Sequence, residues 1–125
     1  MFENELSYKI RSSIFQVYNN LGLGLLESAH EAALGFELNR QQLLFATHVG
    51  LPIEYESIRL NVGYRIDILV ENQLIIEVKS VETLLPVHHK QLITYLKLSG
   101  LKLGLLVNFN TDDISTSIFR KVNGL

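Results

Sequence analysis

Two runs of β-branched and apolar residues, Tyr64-Arg65-Ile66-Asp67-Ile68-Leu69-Val70 and Leu74-Ile75-Ile76-Glu77-Val78-Lys79, flank the short polar segment Glu71-Asn72-Gln73. Such runs around a three-residue turn predict a β-hairpin, and the two-residue period of a strand sorts its side chains onto opposite faces. Ile66, Ile68 and Val70 then share one face with Leu74, Ile76 and Val78, while the other carries Asp67, Leu69, Ile75, Glu77 and Lys79. Val70 pairs with Leu74 across the turn, and counting back along both strands sets Asp67 opposite Glu77. A slip of one residue would turn Asp67 away from Glu77.

Directly opposite residues have Cβ atoms roughly 5 Å apart, and two carboxylates at that range repel by about 3 kcal/mol at an effective dielectric near 20. A divalent cation held between them would offset the repulsion. Without one, a carboxyl of the pair should have a raised pKa. Either condition marks a functional site more often than a structural one. The competing reading is an edge hairpin whose charged face is simply wet, which the many apolar residues around these charges disfavour.

The 125 residues, 47% hydrophobic and 19% charged, are expected to form one domain over residues 1–125, enough to bury roughly two thirds of the unfolded surface. The net charge of −2 supplies no overall attraction to nucleic acid, so any such binding must come from a local basic patch. With no cysteine, disulfides, thiolate zinc sites, iron–sulfur clusters and cysteine nucleophiles are all excluded. A reducing cytoplasm is the expected location. Met1 to Leu6 lack the basic and apolar regions of a signal peptide, and no apolar run approaches the ~18 residues of a membrane span, so no membrane role is expected.

Leu6, Ile10, Ile14, Val17 and Leu21 recur at helical spacing with Gly22 after them, predicting a helix over about Glu3 to Leu21 with a glycine C-cap. After Gly22-Leu23-Gly24 the alanine-rich run from Leu25 predicts a second helix reaching about Gln42. Glu27 falls in its first turn, where the helix dipole favours a carboxylate whatever its function. His30 and Glu31 follow at spacings of three and four, which on spacing alone describes a solvated face. The segments from Phe45 to Tyr55, interrupted at Gly50-Leu51-Pro52, and from Ile58 to Val62 read as strands. With the hairpin they predict three antiparallel strands in succession. Pro86 suits the first turn of a helix carrying Leu92, Ile93, Leu96 and Leu98 and ending at Gly100. Leu103 to Asn108 is nearly all apolar, as a strand buried on both faces would be, and Ile118, Arg120 and Val122 alternate as a last edge strand or short helix.

An aspartate followed ten residues later by Glu77-Val78-Lys79 resembles the PD-(D/E)XK nuclease superfamily. Gly24-Leu25-Leu26-Glu27, Tyr64-Arg65-Ile66-Asp67, Pro86-Val87-His88, Gln91-Leu92-Ile93-Thr94-Tyr95 and Gly104-Leu105-Leu106-Val107-Asn108-Phe109 extend the likeness to one branch, the GxxExxY proteins, over about Asn4 to Val122. The motif naming that branch has a tyrosine where this chain has His30, and the leading proline before the aspartate is replaced by Ile66.

The resemblance implies an α/β (α+β) fold, a mixed sheet flanked by helices in the order α-α-β-β-β-α-β. It also implies Mg²⁺- or Mn²⁺-dependent hydrolysis of nucleic-acid phosphodiesters, with DNA the expected substrate. Asp67, Glu77, the Val78 carbonyl and Glu27 would hold the metal through hard oxygen donors. Lys79 would orient water or stabilise developing charge, and Gln91, Tyr95 and His30 would meet substrate, with Gln91 also counted among the catalytic residues. A homodimer is the arrangement that would let so small a domain cut two strands. The alternative is a non-catalytic nucleic-acid-binding or protein-interaction module on the same fold. A dinucleotide enzyme is disfavoured, because Gly22-Leu23-Gly24-Leu25-Leu26-Glu27 lacks the last glycine and follows no strand.

Overall fold

The stripe Leu6, Ile10, Ile14 and Val17 is buried along α1 (Glu3–Leu21) in the computed structural model, which describes residues 1–125. Each such side chain contributes about 1.5–3 kcal/mol relative to leaving it in water. Leu21, expected to continue the stripe, is exposed. The helix ends on it: Gly22 takes φ +67°, and its N–H donates to the Tyr18 carbonyl. Helix α2 (Glu27–Arg40) is shorter than the expected span, because Leu26 is extended at its start and Gln42 turns out of the helix with φ +61°. Leu34 and Leu38 of α2 join the α1 stripe in one apolar cluster.

The chain continues through β1 (Phe45–Gly50), β2 (Ile53–Tyr55), β3 (Ile58–Leu60), β4 (Arg65–Val70), β5 (Leu74–Lys79), α3 (Pro86–Ser99), β6 (Leu103–Asn108) and β7 (Ile118–Val122). The main sheet is ordered β1-β4-β5-β6-β7, with β5 and β6 parallel and the other neighbours antiparallel. Parallel neighbours need a crossover, and α3 supplies it. This is the mixed α+β architecture expected of the sequence, with β6 buried along its whole length and β7 at an edge after a 3-10 turn at Ile114–Thr116. No helix is long and apolar enough to cross a membrane.

Three antiparallel strands in succession are not what forms. Pro52, which has no N–H to give a ladder, stands just beyond β1, and β2 and β3 pair only with each other as a separate two-stranded arm. The arm's root is closed by the Leu51 N–H, which donates to the Tyr64 carbonyl at 2.8 Å. Strand β1 therefore skips the arm and pairs with β4. The central hairpin keeps its expected turn, with Glu71 and Asn72 at positive φ and Val70 opposite Leu74.

Both faces of the sheet are covered. Ile68, Val70, Leu74, Ile76 and Val78 pack with α1 and α2, while Ile75, Leu92, Tyr95, Leu96 and Leu106 form a second cluster with α3. The edge-hairpin alternative fails on this point, since β4 and β5 lie inside the sheet. Ile66 departs from the simple alternation. It packs in the second cluster, and so does its β1 partner Val49. The residues next to this switch, His48 on β1 and Asp67 on β4, drop out of the ladder, and His48 takes φ +53°.

Gly104 sets how closely α3 can lie on β6. A Cβ there would stand 2.8 Å from Leu92 Cδ1 and 3.1 Å from its Cγ, and Leu92 is itself fully buried. Gly104→Ala is expected to lower stability by about 1–3 kcal/mol through overpacking, measured by chemical denaturation. The paired change with Leu92→Val should recover part of that loss, and equal stability of Gly104→Ala and the parent would show that α3 can lift off without cost.

Candidate active site

Beyond Ile68↔Ile76 the backbone ladder between β4 and β5 stops. The two strands are then joined by side chains reaching across. The Asp67 N–H donates to Glu77 Oε2 at 2.9 Å, and the Val78 N–H donates to Asp67 Oδ2 at 2.8 Å. The register thus keeps Asp67 and Glu77 as counterparts, and each carboxylate caps a backbone N–H on the other strand. A carboxyl oxygen thus stands in for a ladder carbonyl at each position, which lets the sheet open without leaving either amide unpaired.

The geometry carries an electrostatic cost. Glu77 is only 3% exposed, and burial pushes its carboxyl up to about 8, with the Asp67 charge adding to the rise. The hydrogen bond from the Asp67 N–H and the positive charge of Lys79 oppose that shift. Burial also raises Asp67, against the Val78 hydrogen bond and the Lys79 charge. Lys79 lies two residues beyond Glu77 on β5 and is half-buried. The close contacts between basic and acidic side chains are Arg40 with Glu37 and His48 with Glu31, so the Lys79 ammonium is not tied to a carboxylate.

Glu27 reaches this strand end from α2. Its Oε2 accepts from the Ser80 N–H at 3.4 Å, while Ser80 Oγ donates to the Leu25 carbonyl at 2.9 Å. Asn108 fastens the other side of the loop. Its Oδ1 accepts from the Val81 and Asn110 N–H groups, and its Nδ2 donates to the Val81 carbonyl. The Phe109 N–H donates to the Lys79 carbonyl at 2.9 Å. The backbone that carries Lys79 is therefore held from both flanks.

Two residues with no assigned role in the sequence belong to this neighbourhood. His48 Nε2 lies 2.8 Å from Glu31 Oε1. Burial raises Glu31, the charge of Asp67 raises it further, and His48 opposes both. Helical spacing put Glu31 on the face of Glu27, which was a usable signal. His48 had none, because its place follows from the positive φ and the interrupted ladder.

His30 requires a correction. It was expected on a solvated face and as a substrate contact, but it has no accessible surface. Its Nε2 lies 2.8 Å from the Gly22 carbonyl, which can only accept, so Nε2 carries the proton. The ring stacks on Phe109 with centroids 4.4 Å apart and planes 2° from parallel. It ties the link between α1 and α2 to the end of β6. Tyr95 is 4% exposed, with its hydroxyl raised by burial and then by the Glu77 charge, against a hydrogen bond from the Arg65 backbone. Gln91, one turn earlier on α3, is half-buried.

The donor chemistry fits a hard divalent cation. The strand-bridging bonds use Asp67 Oδ2 and Glu77 Oε2, leaving Oδ1 and Oε1 for another partner. No three acidic or histidine side chains converge as a preformed cage. Mg²⁺ commonly takes one or two carboxylates and fills its shell with waters and substrate phosphate oxygens, and that demand matches a close carboxylate pair.

The solved structure of SSO0001 is similar, with 25% identity and a TM-score of 0.57 over 98% of this chain, which spans 60% of the length of that one. No curated protein matches the sequence. The sequence profile described as the PD-(D/E)XK nuclease superfamily matches residues 4–121. Given the mixed sheet and the bridged Asp67 and Glu77 with Lys79 two residues on, a match of that extent means that the chain belongs to the PD-(D/E)XK nuclease superfamily.

Proposed function

We propose that this protein is a metal-dependent nuclease of the GxxExxY branch, hydrolysing phosphodiester bonds with DNA as substrate. The observation that carries the reading is the reciprocal pair of bonds joining Asp67 and Glu77 at the opened end of β4 and β5. A half-buried and a buried carboxyl group held together here gain from a cation between them. Asp67 and Glu77 would hold Mg²⁺ or Mn²⁺, with the Val78 carbonyl and Glu27 available to complete the set. Bound there, the metal supplies polarisation of the phosphate and a lowered pKa for water.

The chain's own groups do the rest. Lys79 is free of ion pairs and stands where its ammonium can stabilise negative charge developing on the phosphate. Tyr95 of α3 lies within the influence of the Glu77 charge, and Gln91, one turn earlier on the same helix, is the more accessible of the two to a substrate. His48 and Glu31 flank Asp67 on the side of α2.

Calorimetric titration of Mn²⁺ into the purified protein tests the site directly, alongside cleavage of DNA and RNA in Mg²⁺ or Mn²⁺. Binding of one or two ions that is lost in Asp67→Asn and Glu77→Gln is expected, together with cleavage that stops in chelator. If Mn²⁺ binds no more tightly to the parent than to those variants, the nuclease reading fails and the module reading takes its place.

A further inference from the structure

The arm formed by β2 and β3 stands outside the sheet, and at its root lies a cleft of about 280 Å³ lined by Leu51, Arg59, Asn61, Tyr64 and Arg65 among others. Arg59 and Arg65 are both exposed and neither pairs with a carboxylate. Tyr64 is 40% exposed. Its ring packs on that of Tyr95 at 5.9 Å between centroids and 56° between planes, so one side is backed by protein and part of the ring is left open. The cleft borders the strand that carries the carboxylate pair: Arg65 is two residues from Asp67 on β4, and Tyr95, on which the Tyr64 ring packs, lies within the influence of the Glu77 charge.

We infer that this cleft is a subsite for single-stranded nucleic acid, in which Tyr64 stacks against one unpaired base and Arg59 and Arg65 hold the adjoining phosphates. The inference rests on the proposed nuclease reading for the direction in which the strand leads, toward Asp67 and Glu77. Two features select a single strand, and a third holds its backbone. A base offers a free face for stacking only when it is out of a duplex or at a frayed end, and stacking on an aromatic ring is tolerant of base identity. The cleft is a recess bounded by the arm, suited to one strand rather than to the width of a duplex. Guanidinium groups bind phosphate oxygens in a bidentate manner, and here two of them offset an acidic neighbourhood in a chain of net charge −2. A single strand needs one cut, so this subsite calls for no second copy of the chain.

The test is fluorescence anisotropy in chelator, with labelled oligothymidylate, oligouridylate and a duplex of equal length closed by loops at both ends. The single strands are expected to bind at least about ten-fold more tightly than the closed duplex. Tyr64→Ala should weaken single-strand binding at least about five-fold, the lower end of what one base–aromatic stack contributes, and Tyr64→Phe should restore it. Arg59→Ala, on the exposed arm, should reduce the slope of log affinity against log salt by about 0.7, the loss of one phosphate contact to a single strand. It serves as the independent variant should Tyr64→Ala fail to fold. Equal affinity for the closed duplex, or a folded Tyr64→Ala and Arg59→Ala that both bind as the parent does, overturns the inference. Because the assay uses no metal, single-strand binding that depends on Tyr64 and Arg59 upholds the subsite even if no cleavage is found. Metal-dependent cleavage of closed duplex that is unchanged in both variants overturns the subsite and leaves the nuclease reading intact.

Discussion

Lys79→Ala is expected to reduce metal-dependent cleavage by about 10²–10³, the scale on which one aimed charge-stabilising donor acts, while leaving the fold in place. The ammonium makes no ion pair to be broken, and the strand beneath it stays anchored because the Phe109 N–H holds the Lys79 carbonyl. A second consequence separates Lys79 from a merely structural lysine. Its positive charge holds both Asp67 and Glu77 lower than burial alone would set them. Its removal should move the acid limb of the pH–rate profile upward. Lys79→Arg keeps the charge but changes its shape and reach, so it should keep the position of that limb and recover only part of the rate. Full activity in Lys79→Ala would remove Lys79 from the mechanism.

Glu77→Gln is expected to make the metal-free protein more stable than the parent in mild alkali. In the folded state the Glu77 carboxyl is pushed up to about 8 from an ordinary 4.5, chiefly by burial and then by Asp67. Between those values the folded chain holds a proton that the unfolded chain has released, so stability falls as pH rises. The contribution is whole below about pH 4.5 and is lost as the pH passes through 8. Asp67 and Glu31 are raised as well and act in the same sense. Each proton differing between the states is worth about 1.4 kcal/mol per pH unit, so the full effect is on the order of a few kcal/mol. Glutamine stays neutral, and its amide oxygen can still accept from the Asp67 N–H. Melting in chelator from pH 5 to 9 checks this: the parent's Tm should fall across the range and the Glu77→Gln curve should be flatter. Parallel curves would show that Glu77 is ionised in the fold at ordinary pH. Adding Mn²⁺ should reverse the parent's trend above pH 8, because a cation favours the ionised pair.

Much of this site was legible in the chain. The hairpin register followed from a three-residue turn and a period of two, and it carried Asp67 to Glu77 as found. The stripe of α1 and the burial of β6 were equally plain, since apolar periodicity reports directly on which face meets the core. The arm was not. Its residues have strand propensity, and nothing local says that β2 and β3 will pair with each other and leave the sheet to β1 and β4. That outcome follows from Pro52 and from closure of the root between Leu51 and Tyr64. His30 was misplaced for a related reason: a charged-looking i, i+3 spacing on a helix does not report which side another element covers, and Phe109 from beyond β6 covers this one.

The sequence by itself determined the elements, the hairpin register and the acidic pair with its lysine, because these depend on side-chain period and on contacts between near neighbours in the chain. The tertiary structure alone decided that the carboxylates would bridge the opened strands, that Glu31 and His48 would flank Asp67, and that the arm would leave Arg59, Tyr64 and Arg65 around a cleft. Those arrangements join segments far apart in the chain. They are chosen by burial and by the pairing of backbone groups across the whole fold, which no local pattern encodes.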